Sequence, residues 1–552
     1  MAKKEKRRAF LQLPLPEDTK AYRMVKRSWS GINLRETIDT GMLSFEKDIS
    51  TKEAPYLTPS DSMTVRKSGY YSEDGKRKPL GIFGFEDFLL LIYYDADFSA
   101  IMIDYIKAQG LVTYTGILKK EPTEEDLEAK RSVVQFNAYD SKKTVADGFY
   151  QKVLLIFPDK VSMPMGFYTT NGSPVEAVKN GSVLEPGMYK YSNRYYKVYY
   201  DNGQLTATDG NNEEIDDISY FLCDYLENAS GFPPIKYVAV HLSRLFGVSN
   251  DKVYASGFND YANWTLDDAD SYNESNAWCS AAQSNTKADS DFTGICVYQN
   301  HVICFKRNFM HEIYNTKNPF RIQDVFNEGA IDARSIQEVD GRLIFVSADD
   351  VKIYTGSNPR GIGYNLNMTR FDKAVSGSDG RFYYLYCEKS TNDTDNSERR
   401  FFVYDTLLNE WSQRSVSTGI INFAFCTKGL YALGEDGCVY DVNSGKASRN
   451  WAFETDLITN KTVDIKHIKK LQLLADIDEG ASFKVYFLYD DEEFNESSHL
   501  VYVSAGREGK TTVRVKPRMT AGYGFKVRVE GSGYVKLYEM ELVIQDGGEL
   551  YV

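Results

Sequence analysis

The chain has 552 residues, 42% of them apolar and 14% aromatic, with a formal net charge of −13. That length exceeds one ordinary core and implies about two to four domains, while 40 Tyr and 31 Phe lean the composition towards pleated, half-buried sheet. The acidic balance excludes a protein that wraps nucleic acid tightly, which needs a large basic face, but leaves room for a wall that DNA slides past.

In chain order, residues 1–30 read as a basic N-terminal arm. Lys3, Lys4, Lys6, Arg7 and Arg8 crowd its start, and Lys20, Arg23, Lys26 and Arg27 follow. It is either a solvated tail or a docking arm for an acidic partner or nucleic acid. Its charge is not followed by an apolar run, so it does not read as a secretory signal. Residues 41–59 read as an extended strap, and Met63 to Tyr70 as a strand entering a turn.

Residues 31–162 are expected to hold the first part of a β-propeller. One blade falls at 80–118, with Phe88 to Tyr94 apolar almost throughout, as in a strand buried on both faces. An acidic run at 121–130 reads as a surface helix or loop, and a second blade falls at 131–162. Residues 163–235 break the rhythm and are expected to form an inserted small β unit. Tyr189, Tyr191, Tyr195, Tyr196, Tyr199 and Tyr200 crowd it, between Pro186-Gly187 and Asn202-Gly203 turn pairs. These tyrosines either pack the unit itself or form an aromatic surface for a glycan or protein partner.

From 236 to 450 a short phrase recurs: an apolar strand, a tight turn, a second apolar strand, then Val-Tyr or Ile-Tyr. It ends at Val253-Tyr254, Ile353-Tyr354 and Val439-Tyr440. Hairpins repeating every few tens of residues, each too short to bury a core, mark a propeller, here of about seven blades. Residues 257–290 are polar and read as a long loop. From 451 to 552 the pattern changes to six or so strands suiting a C-terminal β-sandwich. Within it, Phe525, Val527 and Val529 alternate with Lys526, Arg528 and Glu530, as in a half-buried antiparallel strand. The fold class expected is therefore all-β.

Catalytic signals are absent from the sequence. There is no GxSxG elbow, phosphate loop or dinucleotide fingerprint. The five His form no metal-binding spacing, and no cofactor is expected. Asp393 and Asp395 resemble the start of a calcium loop, but the required Gly and bidentate Glu do not follow. They read as a polar hairpin tip. Glycosidase propellers need two facing carboxylates, and the sialidase repeat Ser-x-Asp-x-Gly-x-Thr-Trp is missing. The seven Cys are scattered without a CxxC pair, which suits reduced, buried thiols and folding in a reducing cytoplasm. No apolar stretch approaches a membrane span.

Several phrases carry a resemblance. They are Arg244-Leu245-Phe246-Gly247-Val248, the run from Lys252-Val253-Tyr254 to Trp264, and Asp291-Phe292-Thr293-Gly294-Ile295. Val302-Ile303-Cys304-Phe305-Lys306, Arg334-Ser335-Ile336 and Asp349-Asp350-Val351-Lys352-Ile353-Tyr354-Thr355-Gly356 follow. Together with the opening Gly31-Ile32-Asn33-Leu34, they resemble the packaged-DNA stabilisation, or tail nozzle (tail tubular), proteins of short-tailed double-stranded DNA phages. The similarity covers about residues 28–157 and 236–450, and the Tyr-rich insertion has no counterpart in it.

The resemblance implies a non-enzymatic virion tail protein made in the bacterial host cytoplasm. It would form a ring, commonly a homohexamer, contacting portal, adaptor and other tail proteins. The ring would extend the DNA channel, hold packaged DNA and conduct it during ejection, touching the genome transiently. A receptor- or glycan-binding tail module is the alternative, and a polysaccharide-degrading propeller enzyme a further one.

Overall fold

A computed structural model of the chain describes residues 11–117, 233 and 235–546 with short breaks, together with the strands Ser132–Tyr139, Phe149–Ile156, Met165–Tyr168, Gly187–Tyr191, Arg194–Asp201 and Gln204–Asp209. The described chain is nearly all β, built of many small antiparallel sheets. Most are meanders in which each strand pairs with the next. One runs Arg77–Gly84, Phe88–Asp95, Ala100–Lys107, Thr113–Ile117. Others run Tyr237–His241 to Trp278–Ala281, Gly294–Tyr298 to Arg321–Phe326, Gln337–Val339 to Arg360–Gly361, and Lys373–Ser378 to Glu410–Arg414.

The hairpins inside these meanders use two-residue turns with both φ positive: Leu242 and Ser243 at 49° and 55°, Gln299 and Asn300 at 47° and 62°, Asp340 and Gly341 at 51° and 67°. That geometry matches the right-handed twist of the flanking strands. Only the last of these turns carries the glycine that sequence reasoning looks for.

Neighbouring sheets merge their cores. Phe246 and Val248 share a cluster with Val302 and Cys304, and Ile303 and Phe305 share the next with Leu343 and Phe345. Val375, Tyr384 and Phe401 pack with Ile420, Phe423 and Leu430. The last meander, Ile420–Cys426 to Val439–Asp441, then packs back on the first, since Ile421, Ala424 and Leu433 share a cluster with Ile82, Leu91 and Tyr93. Its fourth strand is Thr64–Lys67, from the other end of the chain. The Met63–Tyr70 strand of the sequence reading is therefore a piece of the final sheet.

The first and last meanders meet tightly. Asn422 Oδ1 accepts from the Ile82 amide at 2.9 Å, and Asn422 Nδ2 donates to the Ile82 carbonyl at 2.5 Å. One side chain thus serves both backbone groups of a strand in the facing sheet.

Two larger sheets finish the fold. One has the order Leu11–Leu15, Asp18–Lys26, Val535–Asp546, Lys466–Ile477, Gly509–Val515, and the other Leu43–Lys47, Asn450–Thr455, Phe525–Ser532, Ser482–Tyr489, Leu500–Val503. Lys466–Ile477 alternates buried and part-exposed positions, with a break at Lys469-Lys470 where its register with Val535–Asp546 shifts. Leu471, Leu473 and Leu542 of one sheet lie in one core with Val485, Phe487 and Val527 of the other. The same core includes Ile344, Tyr383 and Trp411, which tie both sheets to the meanders.

Three boundaries differ from the sequence reading. The segment 1–30 is not a free arm from Leu11 onward. Asp18–Lys26 pairs with Val535–Asp546, Lys26 is buried, and Arg23 meets Glu541 at 3.3 Å. Met24, Val25 and Lys26 are all buried at the end of that strand, a signal masked by the neighbouring basic residues. Residues 43–47 belong to the second large sheet and not to the first meanders. Met165–Tyr168 pairs with Phe149–Ile156, so the insertion begins beyond it.

Candidate functional site

The residues that carry the resemblance act as internal fasteners. Arg244 is buried, and its guanidinium donates to the carbonyls of Ser256 at 2.6 Å and Asn276 at 2.7 Å, and to that of Glu274. It lies between the rings of Phe320 and Phe258, with centroids at 5.6 and 5.9 Å. One cation thereby fixes the described parts of the long polar loop, and Trp264 is buried beside it. Asp350 Oδ1 accepts from the amides of Val351 at 2.7 Å and Gly363 at 2.9 Å, holding the segment after Ile353-Tyr354.

Arg334 has the longest reach. It sits in a single 3-10 turn capped by Asp332, whose carboxylate accepts from Arg334 Nη2 at 2.7 Å. Its Nη1 donates to the carbonyl of Ile421 at 3.0 Å, on the first strand of the last meander, and Ser376 Oγ donates to the Arg334 carbonyl at 3.0 Å. Burial alone would ease loss of the Arg334 proton, but the Asp332 carboxylate outweighs it and raises the proton affinity. Arg334 therefore links three meanders near their first strands, its charged guanidinium reaching one and its backbone carbonyl another. The sequence flagged Arg334 only through the resemblance, because its partners lie tens of residues away.

The six tyrosines lie on a real hairpin. Gly187–Tyr191 pairs with Arg194–Asp201, which pairs with Gln204–Asp209, and this sheet lies beside Thr113–Ile117. Tyr189 is directly opposite Tyr196, and Tyr191 opposite Arg194. With a side-chain period of two, positions 189, 191, 196 and 200 share one face with Arg194. Positions 195 and 199 fall on the other. The cluster is thus divided between two faces, which the sequence spacing left open. Lys3, Lys4, Lys6, Arg7 and Arg8, the candidate docking arm, lie outside the described residues, as do Asp393, Asp395 and the run 121–130.

Sequence reasoning missed a buried charged junction where the strap, the meanders and the large sheets meet. Lys26 Nζ donates to the Gly41 carbonyl and lies 5.4 Å from the Trp29 ring. Burial lowers its pKa to about 8, with Asp456 and Glu410 resisting the fall. Asp456 Oδ2 accepts from Thr40 Oγ1 at 2.7 Å and from the Gly41 amide at 3.1 Å. Glu410 Oε2 accepts from the Gly31 amide at 3.1 Å and from Thr51 Oγ1 at 3.2 Å. Glu46 is fully buried, and burial raises its pKa well above the usual carboxylate range. The Gln413 amide opposes that rise, and Glu410 and Asp48 add to it. Apart from Lys26 and Gly41, these hydrogen-bonded pairs are hundreds of residues apart in sequence, so no local pattern announces them.

Among the described residues no group of three or more His, Cys, Asp or Glu is placed to hold a metal ion, and no helix is long and apolar enough to cross a membrane. Six cysteines are free thiols, and burial pushes Cys296 up to about 12.

No protein-family model matches the chain, and no curated protein matches it. Among solved structures, it is similar to the computationally designed Ika8 protein at 9% identity and a TM-score of 0.35, covering 70% of this chain and all of that one. It is similar to BamB from Moraxella catarrhalis at 10% identity and a TM-score of 0.34, covering 68% of this chain and 96% of that chain. A puromycin-hydrolyzing peptidase of Mycobacterium tuberculosis matches at 10% identity and a TM-score of 0.25, over 64% of this chain and 56% of that chain. Likenesses this remote leave function to be argued from the chain's own residues.

Proposed function

We propose that the chain is a structural subunit of a phage tail. In this reading the meanders are the blades of a β-propeller of about seven blades and the two large sheets form a C-terminal β-sandwich. Copies assemble as a ring, a homohexamer by the family's habit, that continues the portal and adaptor channel, retains packaged DNA and conducts it on ejection. The observation that carries this is that residues carrying the resemblance to the tail nozzle family, Arg244, Arg334 and Asp350 among them, fasten the fold.

Two further features support it. Arg334, capped by Asp332, ties its own meander to those of Ile421 and Ser376, which suits a rigid wedge. The net charge of −13 gives a wall that repels a polyanion and lets it slide. Closed cyclic symmetry turns such rigid wedges into a tube.

The test is immunogold electron microscopy of purified virus particles, with an antibody against residues 453–552. Gold at the head-proximal end of the tail on complete particles is the expected result, and gold only at the distal tip or on fibres would displace this reading.

The second reading is a receptor- or glycan-binding tail module, and it is favoured by one observation, the shared face of positions 189, 191, 196 and 200. Under the structural reading, particles carrying Tyr189→Ala and Tyr196→Ala adsorb to host cells as the parent does. Loss of adsorption by intact particles would instead transfer the function to that face. Polysaccharide degradation has no such observation behind it.

A further inference from the structure

The strap over residues 41–59 is fastened to the meanders by carboxylates where ordinary strand pairing ends. Glu410–Arg414 is the outer strand of its sheet. Along it, Glu46 Oε1 accepts from the Gln413 amide at 3.3 Å and Asp48 Oδ1 from the Ser415 amide at 2.7 Å. Ser415 Oγ also donates to Asp48 Oδ2, and the Asp48 amide donates to the Gln413 carbonyl at 3.1 Å. On its other side, Glu46 pairs through its backbone with Phe453 in the second large sheet. The strap is therefore a bridge between the two halves of the fold, and Glu46 is at its centre.

Glu46 is chemically out of place as an anion. Its side chain is fully buried, and its Oε2 has no hydrogen-bond partner among the described residues. Two further carboxylates, Asp48 and Glu410, lie close enough to disfavour a charge on it. Lys26, a buried cation of the same junction, is engaged with the Gly41 carbonyl and the charge of Asp456. Arg414 is turned away to the Val442 carbonyl and Asn443, while Arg400 is paired with Glu398 and touches the Gln413 side chain at 3.4 Å. A buried carboxylate without solvation or a cation keeps its proton.

We propose that the strap is a proton-held clasp, closed while Glu46 is a neutral acid and loosened when that proton leaves. Ionisation would place a third negative charge beside Asp48 and Glu410 in a poorly solvated site. The Gln413 and Ser415 amides could not neutralise it. The strap would then part from the Glu410–Arg414 edge, freeing the two large sheets to move against the meanders. This holds whether or not the chain forms a ring.

The sign follows from linkage. A carboxyl whose folded proton affinity is raised contributes its full stability below its unfolded pKa, and that contribution is lost as pH rises towards the folded pKa. Asp456 is also raised by burial and works in the same direction, against its Thr40 and Gly41 hydrogen bonds and Lys26. Lys26 works in the opposite direction, but only above about 8. Within this junction, the window between the usual Glu range, about 4.3, and the Lys26 value therefore separates the carboxyls from Lys26.

The experiment is amide hydrogen exchange of the full chain from about pH 5 to about pH 7.5, corrected for intrinsic rates. Wild-type protection over residues 43–51 should fall by up to about tenfold per pH unit, the limit for one proton. In Glu46→Gln the fall should be reduced or gone, whereas Asp456→Asn should retain the Glu46 part. Infrared spectroscopy at neutral pH should show a carboxylic-acid band that Glu46→Gln removes. A flat wild-type profile would overturn the proposal, and so would a Glu46→Gln profile matching wild type or a band that Glu46→Gln leaves unchanged.

Discussion

Gly84→Val should destabilise the chain by about 3 kcal/mol or more, the upper end of what overpacking a well-filled site costs. A Cβ at position 84 would stand 1.9 Å from the Phe425 carbonyl oxygen and 2.7 Å from the Phe425 amide nitrogen. Neither atom is the end of a flexible side chain, so the relief must come from separating two strands. Those strands are Arg77–Gly84 and Ile420–Cys426, where the last meander meets the first. Parting them would also break both Asn422 bonds to Ile82, leaving buried polar groups without partners. Denaturant unfolding followed by far-UV circular dichroism would measure the loss. Gly480→Val is the matched control, since a Cβ there meets nothing within 4 Å. Its cost should be confined to its left-handed backbone, φ 74°, and an equal loss in both variants would refute the closure argument.

The repeat of short hairpins was legible because each hairpin carries its own pattern: apolar strands, a turn, a tyrosine. Val253-Tyr254, Ile353-Tyr354 and Val439-Tyr440 all lie in strands that pair with the preceding strand of their hairpin. The strands of the C-terminal region were legible for the same reason, and Phe525, Val527 and Val529 are indeed its buried face. What escaped were pairings between distant segments. Thr64–Lys67 completes a sheet whose other strands begin at Ile420, and Lys373–Ser378 was missed because its Ala-Val-Ser-Gly run is too small and polar to stand out. The charged junction was invisible for a stronger reason. Glu46, Asp48, Glu410 and Asp456 look like ordinary surface acids in an acidic chain, and only the tertiary fold buries Glu46, Asp48 and Asp456 and half-buries Glu410. The tyrosine cluster was found, but its division between two faces depends on the register of the Tyr189–Tyr196 pair.

Arg244→Met should cost about 3 kcal/mol or more, and most of the change should appear as lost hydrogen-exchange protection between residues 256 and 277. The guanidinium serves three carbonyls from two points on the loop, Ser256 on one side and Glu274 and Asn276 on the other. Hydrogen bonds from a charged donor contribute about 1.5–3 kcal/mol each. Methionine keeps the apolar stem between Phe258 and Phe320 but supplies no donor, so the loop loses its fastening while the strand Arg244–Ser249 stays buried. Lysine in the same place separates charge from geometry. Its ammonium is a compact point charge and cannot reproduce the planar fork that reaches carbonyls on two sides. Arg244→Lys should therefore recover only part of the protection, with Ser256 or the 274–276 segment left open. If Arg244→Lys matched wild type, the charge alone would suffice. If Arg244→Met left the loop protected, Trp264 and the Asp267 bond to Asn276 at 2.8 Å would be what holds it. Either result would remove the Arg244 phrase from the fastening role that the proposed function rests on.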